Sequence, residues 1–161
     1  MTIFPFEKEM YEKEGIDAQF VGHPLITQMP PCVNRDEVFE KYGLDKNKKL
    51  ISIFPGSRTF ELHNLMKTFL KSAALIAQKR DDIQFVIAQA DSLKDDVFKK
   101  YLGKTNIKVI KNDNYSLLSV SDALMLASGT VALEAALYTT PMIISYKGPW
   151  IAYLAVSYTH L

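Results

Sequence analysis

At 161 residues, with 48% hydrophobic and 23% charged side chains, the chain has the size and balance of one ordinary globular domain, which argues against disorder and against a membrane-embedded protein. Its formal net charge of +1 supplies no overall field for nucleic acid, so any polyanion must be held by a local arrangement. The single cysteine, Cys32, excludes an intrachain disulfide and points to a reducing compartment, where it reads as an inert thiol.

The stretch from Met1 to Met10 carries Glu7, Lys8 and Glu9 and lacks a secretory apolar core, and no uninterrupted apolar run approaches the ~20 residues of a membrane span. A cytoplasmic location is therefore expected, and Asn114-Tyr115-Ser116 carries little weight as a glycosylation acceptor. Residues 1–30 read as the tail of a preceding domain plus a linker. Within them Phe6 to Gly15 is a short charged amphipathic helix, Ala18 to Val21 a brief strand, Gly22-His23-Pro24-Leu25 a turn, and Met29-Pro30-Pro31 the linker. Asn34, with Glu37 three residues on, caps a helix that runs through Tyr42 and closes at Gly43.

From Lys49 the chain alternates apolar runs with helical stretches. Strands are expected at Leu50–Phe54, Ile83–Ala88, Ile107–Ile110, Ala123–Leu126 and Met142–Ser145. Helices are expected at Glu61–Gln78, Leu93–Leu102, Ser116–Val120 and Val131–Tyr138. In the longest, Leu62, Leu65, Met66, Phe69, Ala73, Leu75 and Ile76 make an apolar stripe facing a sheet. Such alternation predicts an α/β fold built on a parallel, doubly wound sheet with right-handed crossovers.

Two strand ends carry the chemistry. Ile51-Ser52-Ile53-Phe54 stops in Pro55-Gly56-Ser57-Arg58, with Glu61 opening the next helix. A glycine lets backbone approach a ligand, helix-start N–H groups point outward and arginine offers a planar fork of donors, so phosphate is the natural guest. Ala127-Ser128-Gly129-Thr130 repeats the arrangement, with Ser128 or Thr130 as the helix cap and Glu134 one turn in. A carboxylate beside a phosphate site suits sugar hydroxyls, so the two turns, Arg58 and Glu134 together point to a nucleotide with two phosphates or a nucleotide sugar. The idea requires Gly56 and Gly129 to end neighbouring strands on one rim. Among other polar residues, His63 reads as a solvated or satisfied imidazole, His23 as structural with a cleft position as the alternative, and Tyr146 and Lys147 as equally suited to ligand contact or exposure. With no paired metal-ligand spacing, no Ser-His-Asp signature and no Walker lysine, neither a catalytic metal nor another cofactor is expected.

These segments resemble one family, the lipid-A-disaccharide synthases, two-domain inverting GT-B glycosyltransferases. The resemblance covers about residues 3–154. It rests on Phe4-Pro5-Phe6-Glu7 with Tyr11, Phe20-Val21-Gly22-His23-Pro24-Leu25, Pro55-Gly56-Ser57-Arg58 with Glu61, Ser121-Asp122-Ala123, Ala127-Ser128-Gly129-Thr130 with Leu133-Glu134, and Pro141-Met142 leading to Tyr146-Lys147. It implies that residues 31–154 are the Rossmann-like carboxyl-terminal half that binds the UDP-sugar donor. Arg58 would contact the diphosphate with help from Ser57, Ser128, Gly129 and Thr130 would form the second phosphate turn, and Glu134 would hold ribose. The loop Asn114-Tyr115-Ser116 would approach uracil. The implied reaction joins a UDP-linked diacylglucosamine to diacylglucosamine 1-phosphate, a lipid monosaccharide acceptor, at the cytoplasmic membrane surface. The general base would lie in the amino-terminal half, so this chain alone is expected to turn over little or nothing. After Trp150-Ile151-Ala152-Tyr153-Leu154 the likeness stops, and residues 155–161 read as a foreign tail. The competing readings are a UDP-N-acetylglucosamine epimerase, the muramyl glycosyltransferase of cell-wall synthesis, and a non-catalytic nucleotide-binding module.

Overall fold

Five short apolar runs pair side by side in the computed structural model, which describes residues 1–103 and 105–148. In chain order the elements are α1 (Pro5–Lys13), α2 (Leu25–Gln28), α3 (Arg35–Lys41), β1 (Lys49–Phe54), α4 (Thr59–Lys79) and β2 (Ile83–Gln89). They continue with α5 (Asp95–Leu102), β3 (Lys108–Lys111), α6 (Asn114–Val120), β4 (Ala123–Ala127), α7 (Thr130–Leu137) and β5 (Met142–Ser145). The chain divides into two compact units, Met1–Pro31 and the residues from Cys32 onward. The expected tail at 155–161 and the Trp150–Leu154 segment lie outside the described residues.

In the first unit the predicted strand at Ala18–Val21 does not form; a single parallel bridge joins Thr2 to Phe20, held by Thr2 N to Gln19 O (2.8 Å) and Val21 N to Thr2 O (3.0 Å). No longer partner strand lies beside it among the described residues of this unit, so the ladder stops at one rung. The turn after it continues into the single helical turn α2, which the sequence pattern does not announce because Pro24 at the N-cap supplies the αR geometry that starts it.

In the second unit all strand pairs are parallel and the order is β3-β2-β1-β4-β5. Period-two alternation turns each strand's side chains to two faces, and both are covered. Leu50, Phe54, Val86, Ala88, Ile110, Leu124 and Leu126 pack with Val38, Phe39, Leu117, Leu118, Val120 and Ala135, from α3, α6 and α7. Ile53, Ile87, Met125 and Ala127 pack on the other face with Leu62, Leu65, Met66, Phe69, Ala73 and Phe98, from α4 and α5. The stripe on α4 is narrower than expected: Leu75 is 58% exposed. It stands two residues past Ala73, roughly 200° around the helix, and so leaves the sheet.

Asn34 caps α3 as expected, its Oδ1 accepting from Asp36 N at 2.9 Å, and Gly43 follows the helix at φ +57°. The start of the central strand β1 is tied by Asp122, which stands just ahead of β4; its Oδ2 accepts from Leu50 N (2.8 Å) and from the Arg35 guanidinium (2.7 Å). Burial pushes the Asp122 carboxyl up, but the Leu50 amide and Arg35 outweigh it and hold it below the ordinary aspartate value. Asp113 behaves alike: burial raises it, and donors from Lys41, Ser116 and Tyr42 more than reverse the rise. A folded value below the unfolded one means that the stabilisation is complete above the ordinary carboxylate range and is lost as pH falls through the folded values. We therefore expect stability to fall below about pH 4, and the fall to be shallower in Asp122→Asn, as read by urea midpoints across about pH 2.5–7. Asp122→Ala at neutral pH should cost about 1–3 kcal/mol by leaving the Leu50 amide unpaired.

The chain leaves β1 through α4 and α5 toward one side of the sheet and returns from β3 through α6 to β4 on the other side of β1. The strand order thus reverses between β1 and β4. In open α/β sheets the crevice beyond the carboxyl ends of the strands at such a reversal is where ligands bind.

Candidate functional site

Phe54 of β1 stands in register with Leu126 of β4, so the segments that follow, Pro55–Arg58 and Ser128–Thr130, emerge side by side on one rim. The requirement set by the sequence is met: Gly56, Ser57, Arg58, Ser128, Gly129, Thr130 and Glu134 all line one open cavity of about 410 Å³. Glu61 from α4, Asn114 from α6, Ala88 of β2 and Ala90 just after it are also part of its wall.

The first turn is braced from within. Gly56 sits at φ +109°, a conformation that L side chains rarely adopt, and a Cβ there would meet Glu61 Oε2 at 2.4 Å. The glycine therefore makes room for Glu61, a duty the sequence reading does not give it, and it also lines the cavity. Glu61 Oε2 accepts from Ser57 N (2.9 Å) and Arg58 N (3.2 Å), and its Oε1 lies 3.6 Å from the Arg58 guanidinium. Ser57 O in turn accepts from Ser92 Oγ at 2.6 Å. The Arg58 side chain is 72% exposed and lines the cavity. The sequence reading names Glu61 at the helix start but gives it no role, although its place three residues after the N-cap is the usual one for a side chain that reaches back.

The second turn is open. Neither Ser128 nor Thr130 caps α7, contrary to expectation: the N-cap is Gly129, which has no side chain, and Ser128 N is committed to Ser145 O at 2.9 Å. Gly129 has extended backbone and nothing within 4 Å of a Cβ placed on it, so the fold does not demand glycine here; the space is the cavity itself. Glu134 lies one turn into α7 on the face toward Thr130, half-buried, and Tyr115 Oη donates to its Oε1 at 3.3 Å. Burial first and the Glu134 charge second raise the Tyr115 phenol above its ordinary value, which keeps it a donor.

Asn114 and Tyr115 belong to the first turn of α6 rather than to a loop, because the helix starts two residues earlier than its apolar pattern. Tyr115 reaches Glu134 from outside the cavity lining. Asn114 Oδ1 is buried without a hydrogen-bond partner, at the cavity wall. A buried acceptor left unpaired costs about 1–3 kcal/mol, which marks a place where a donor from a ligand would be welcome.

The remaining polar candidates have other occupations. His23 Nδ1 accepts from Leu25 N at 3.2 Å and its ring packs 5.3 Å from Phe4, inside the first unit. His63 pairs with the Tyr101 hydroxyl. Tyr146 is 76% exposed, and Lys147 gives its carbonyl to Asn64 Nδ2 at 3.2 Å. Cys32 is exposed and free. Among the described residues no group of three or more His, Cys, Asp or Glu side chains is gathered as a metal site would require, and no helix is long and apolar enough to cross a membrane.

A parallel 3-2-1-4-5 sheet with helices on both faces and its cavity at the β1/β4 reversal is a Rossmann-like domain. The same fold is seen in the crystal structure of WaaG, a glycosyltransferase involved in lipopolysaccharide biosynthesis, with a TM-score of 0.50 at 16% identity over 98% of this chain and 47% of that one. The lipid-A-disaccharide synthetase family model matches residues 1–158, and the chain belongs to that family. It is similar to the lipid-A-disaccharide synthase of Geobacter sulfurreducens, 38% identical over 148 residues, which are 91% of this chain and 38% of that protein. It is also similar to that of Coxiella burnetii strain Dugway 5J108-111 (37% identical, covering 91% of this chain and 39% of the relative) and that of Syntrophus aciditrophicus (33%, covering 95% and 41%). The chain thus spans about two-fifths of the length of the curated relatives it matches.

Proposed function

We propose that residues from Cys32 onward hold the nucleotide end of a UDP-sugar donor, and that the protein to which the chain belongs joins UDP-2,3-diacylglucosamine to 2,3-diacylglucosamine 1-phosphate, giving lipid A disaccharide 1-phosphate and UDP. The observation that carries this reading is the convergence of two glycine turns, Arg58 and Glu134 on one cavity at the strand-order reversal of a chain in this family. Arg58 and the opening amides of α7 take the diphosphate, with Ser57, Ser128, Gly129 and Thr130 around it. Glu134, steadied by Tyr115, accepts from ribose hydroxyls, and Asn114 offers its unpaired oxygen to a donor of the base or sugar.

Transfer of the sugar leaves charge on the departing diphosphate, and a guanidinium with a helix start fixed in advance stabilises that charge without reorganisation. What the family resemblance implies is a base for the acceptor's proton in the amino-terminal half of the full-length protein; among the described residues the cavity's two carboxylates, Glu61 and Glu134, accept from the Ser57 amide and the Tyr115 hydroxyl. Residues 1–30 are the tail of that half in this reading. The lipid acceptor brings the work to the cytoplasmic membrane surface.

Calorimetric titration with UDP tests the assignment. Glu134→Ala should weaken UDP by about tenfold, the loss of charged hydrogen bonds to ribose. Equal affinity in the variant, or ADP binding as tightly as UDP, would overturn it.

A further inference from the structure

Among the described residues the charged side chains lining the cavity are Arg58, Glu61 and Glu134, one positive and two negative, an unfavourable balance for a site that takes a diphosphate. Glu134 is accounted for by ribose. Glu61 is not, and its position is specific: one carboxylate oxygen receives both amides of the Ser57–Arg58 turn at 2.9 and 3.2 Å while the other faces the Arg58 guanidinium at 3.6 Å. Two successive backbone amides and a guanidinium are the donors that would otherwise cradle a phosphate. The seat is built for this side chain, since a Cβ at Gly56 would fall 2.6 Å from Glu61 Cβ, and the Glu61 side chain is only 18% exposed. At α7, by contrast, no side chain caps the opening amides.

We propose that Glu61 is a positioning residue that acts as an internal anion: its carboxylate occupies the phosphate seat of the β1 turn, so that the donor's phosphates are received at the start of α7, with the Arg58 guanidinium and the Ser57 side chain, but neither turn amide, contributed from the β1 side. The proposal rests on the donor-site reading above. Two consequences follow from charge alone. Inorganic phosphate and pyrophosphate, which lack a nucleoside to engage Glu134 and Asn114, are held weakly because Glu61 cancels much of Arg58. A UDP-linked ligand, which engages both, is selected over them. Glu61 thus sets the preference for a nucleotide over a bare anion.

The test compares the full chain with Glu61→Gln by calorimetry against inorganic pyrophosphate, UDP and uridine. The substituted side chain keeps an amide oxygen for the turn but loses the charge, so pyrophosphate should bind roughly fivefold or more tightly, with uridine unchanged. Unchanged or weaker pyrophosphate binding by a variant that melts like the parent would overturn the proposal. A second measurement needs no variant: in amide spectra of the unsubstituted chain, UDP should shift Gly129, Thr130 and Val131 most and leave Ser57 and Arg58 nearly in place. Shifts at Ser57 and Arg58 as large as those in α7 would overturn it as well. No UDP response anywhere around the cavity would sink the donor-site reading instead, while the pyrophosphate comparison would still decide the role of Glu61.

Discussion

Replacing Arg58 by alanine should raise the Kd for UDP by about 10- to 100-fold, the worth of a charge-assisted contact to phosphate that water replaces poorly. The fold should be unaffected. The Arg58 side chain is 72% exposed and its ion partner is Glu61 at 3.6 Å, a surface pair of the kind that contributes about 0–1 kcal/mol. Calorimetry with UDP, set beside a thermal melt, separates the two quantities. Arg58→Lys should recover only part of the loss, because a point charge cannot reproduce a planar fork on two phosphate oxygens. UDP binding that survives both substitutions would remove Arg58 from the site. Among the described residues the guanidinium is the single cation lining the cavity, which is why the expected effect on affinity is the largest here.

The second large effect concerns stability. Gly56→Ala must hold a side chain at φ +109° and place its Cβ 2.4 Å from Glu61 Oε2. The backbone strain is about 1–3 kcal/mol, and expelling Glu61 forfeits its bonds to the Ser57 and Arg58 amides at about 1 kcal/mol each. A loss of about 3–5 kcal/mol is expected in urea denaturation, together with weaker UDP binding as the Arg58 turn loosens. Gly129→Ala serves as the comparison: extended backbone and open space should hold its cost under about 1 kcal/mol. In a Glu61→Gly background both the 2.4 Å contact with Oε2 and the 2.6 Å contact with Cβ disappear, so Gly56→Ala should cost less there than in the parent, a coupling that a double-mutant cycle reads directly. Equal costs for the two glycine substitutions would show that the turn is not built around Glu61.

Much of this molecule is legible in one dimension. The five strands can be placed within a residue or two because short apolar runs bounded by Gly, Pro, Asp and Asn are local signals, and β5 coincides with Met142–Ser145. The long amphipathic helix declares itself through its period, yet Leu75 falls into the expected buried stripe because hydrophobicity alone does not say where the stripe ends. Helix starts are less legible. Asn114 and Tyr115 read as loop because polar residues in a first turn look like loop residues, and the strand expected at Ala18–Val21 needs a partner ladder that its own residues cannot supply.

The turn chemistry is likewise carried by residue type: glycine, arginine and a helix start announce an anion site wherever they follow an apolar strand. Local order cannot assign each glycine its duty. Gly56 serves Glu61 and Gly129 leaves room in the cavity, a distinction that depends on which atoms stand across from each Cα. The adjacency of β1 and β4, separated in the chain by two other strands, is a fact of sheet order. It arises because the crossover after β3 carries the chain over to the far side of β1, where both faces of the new strand can be buried. That placement brings Arg58 and Glu134 to one rim, since residues so far apart in the chain meet only through long-range packing.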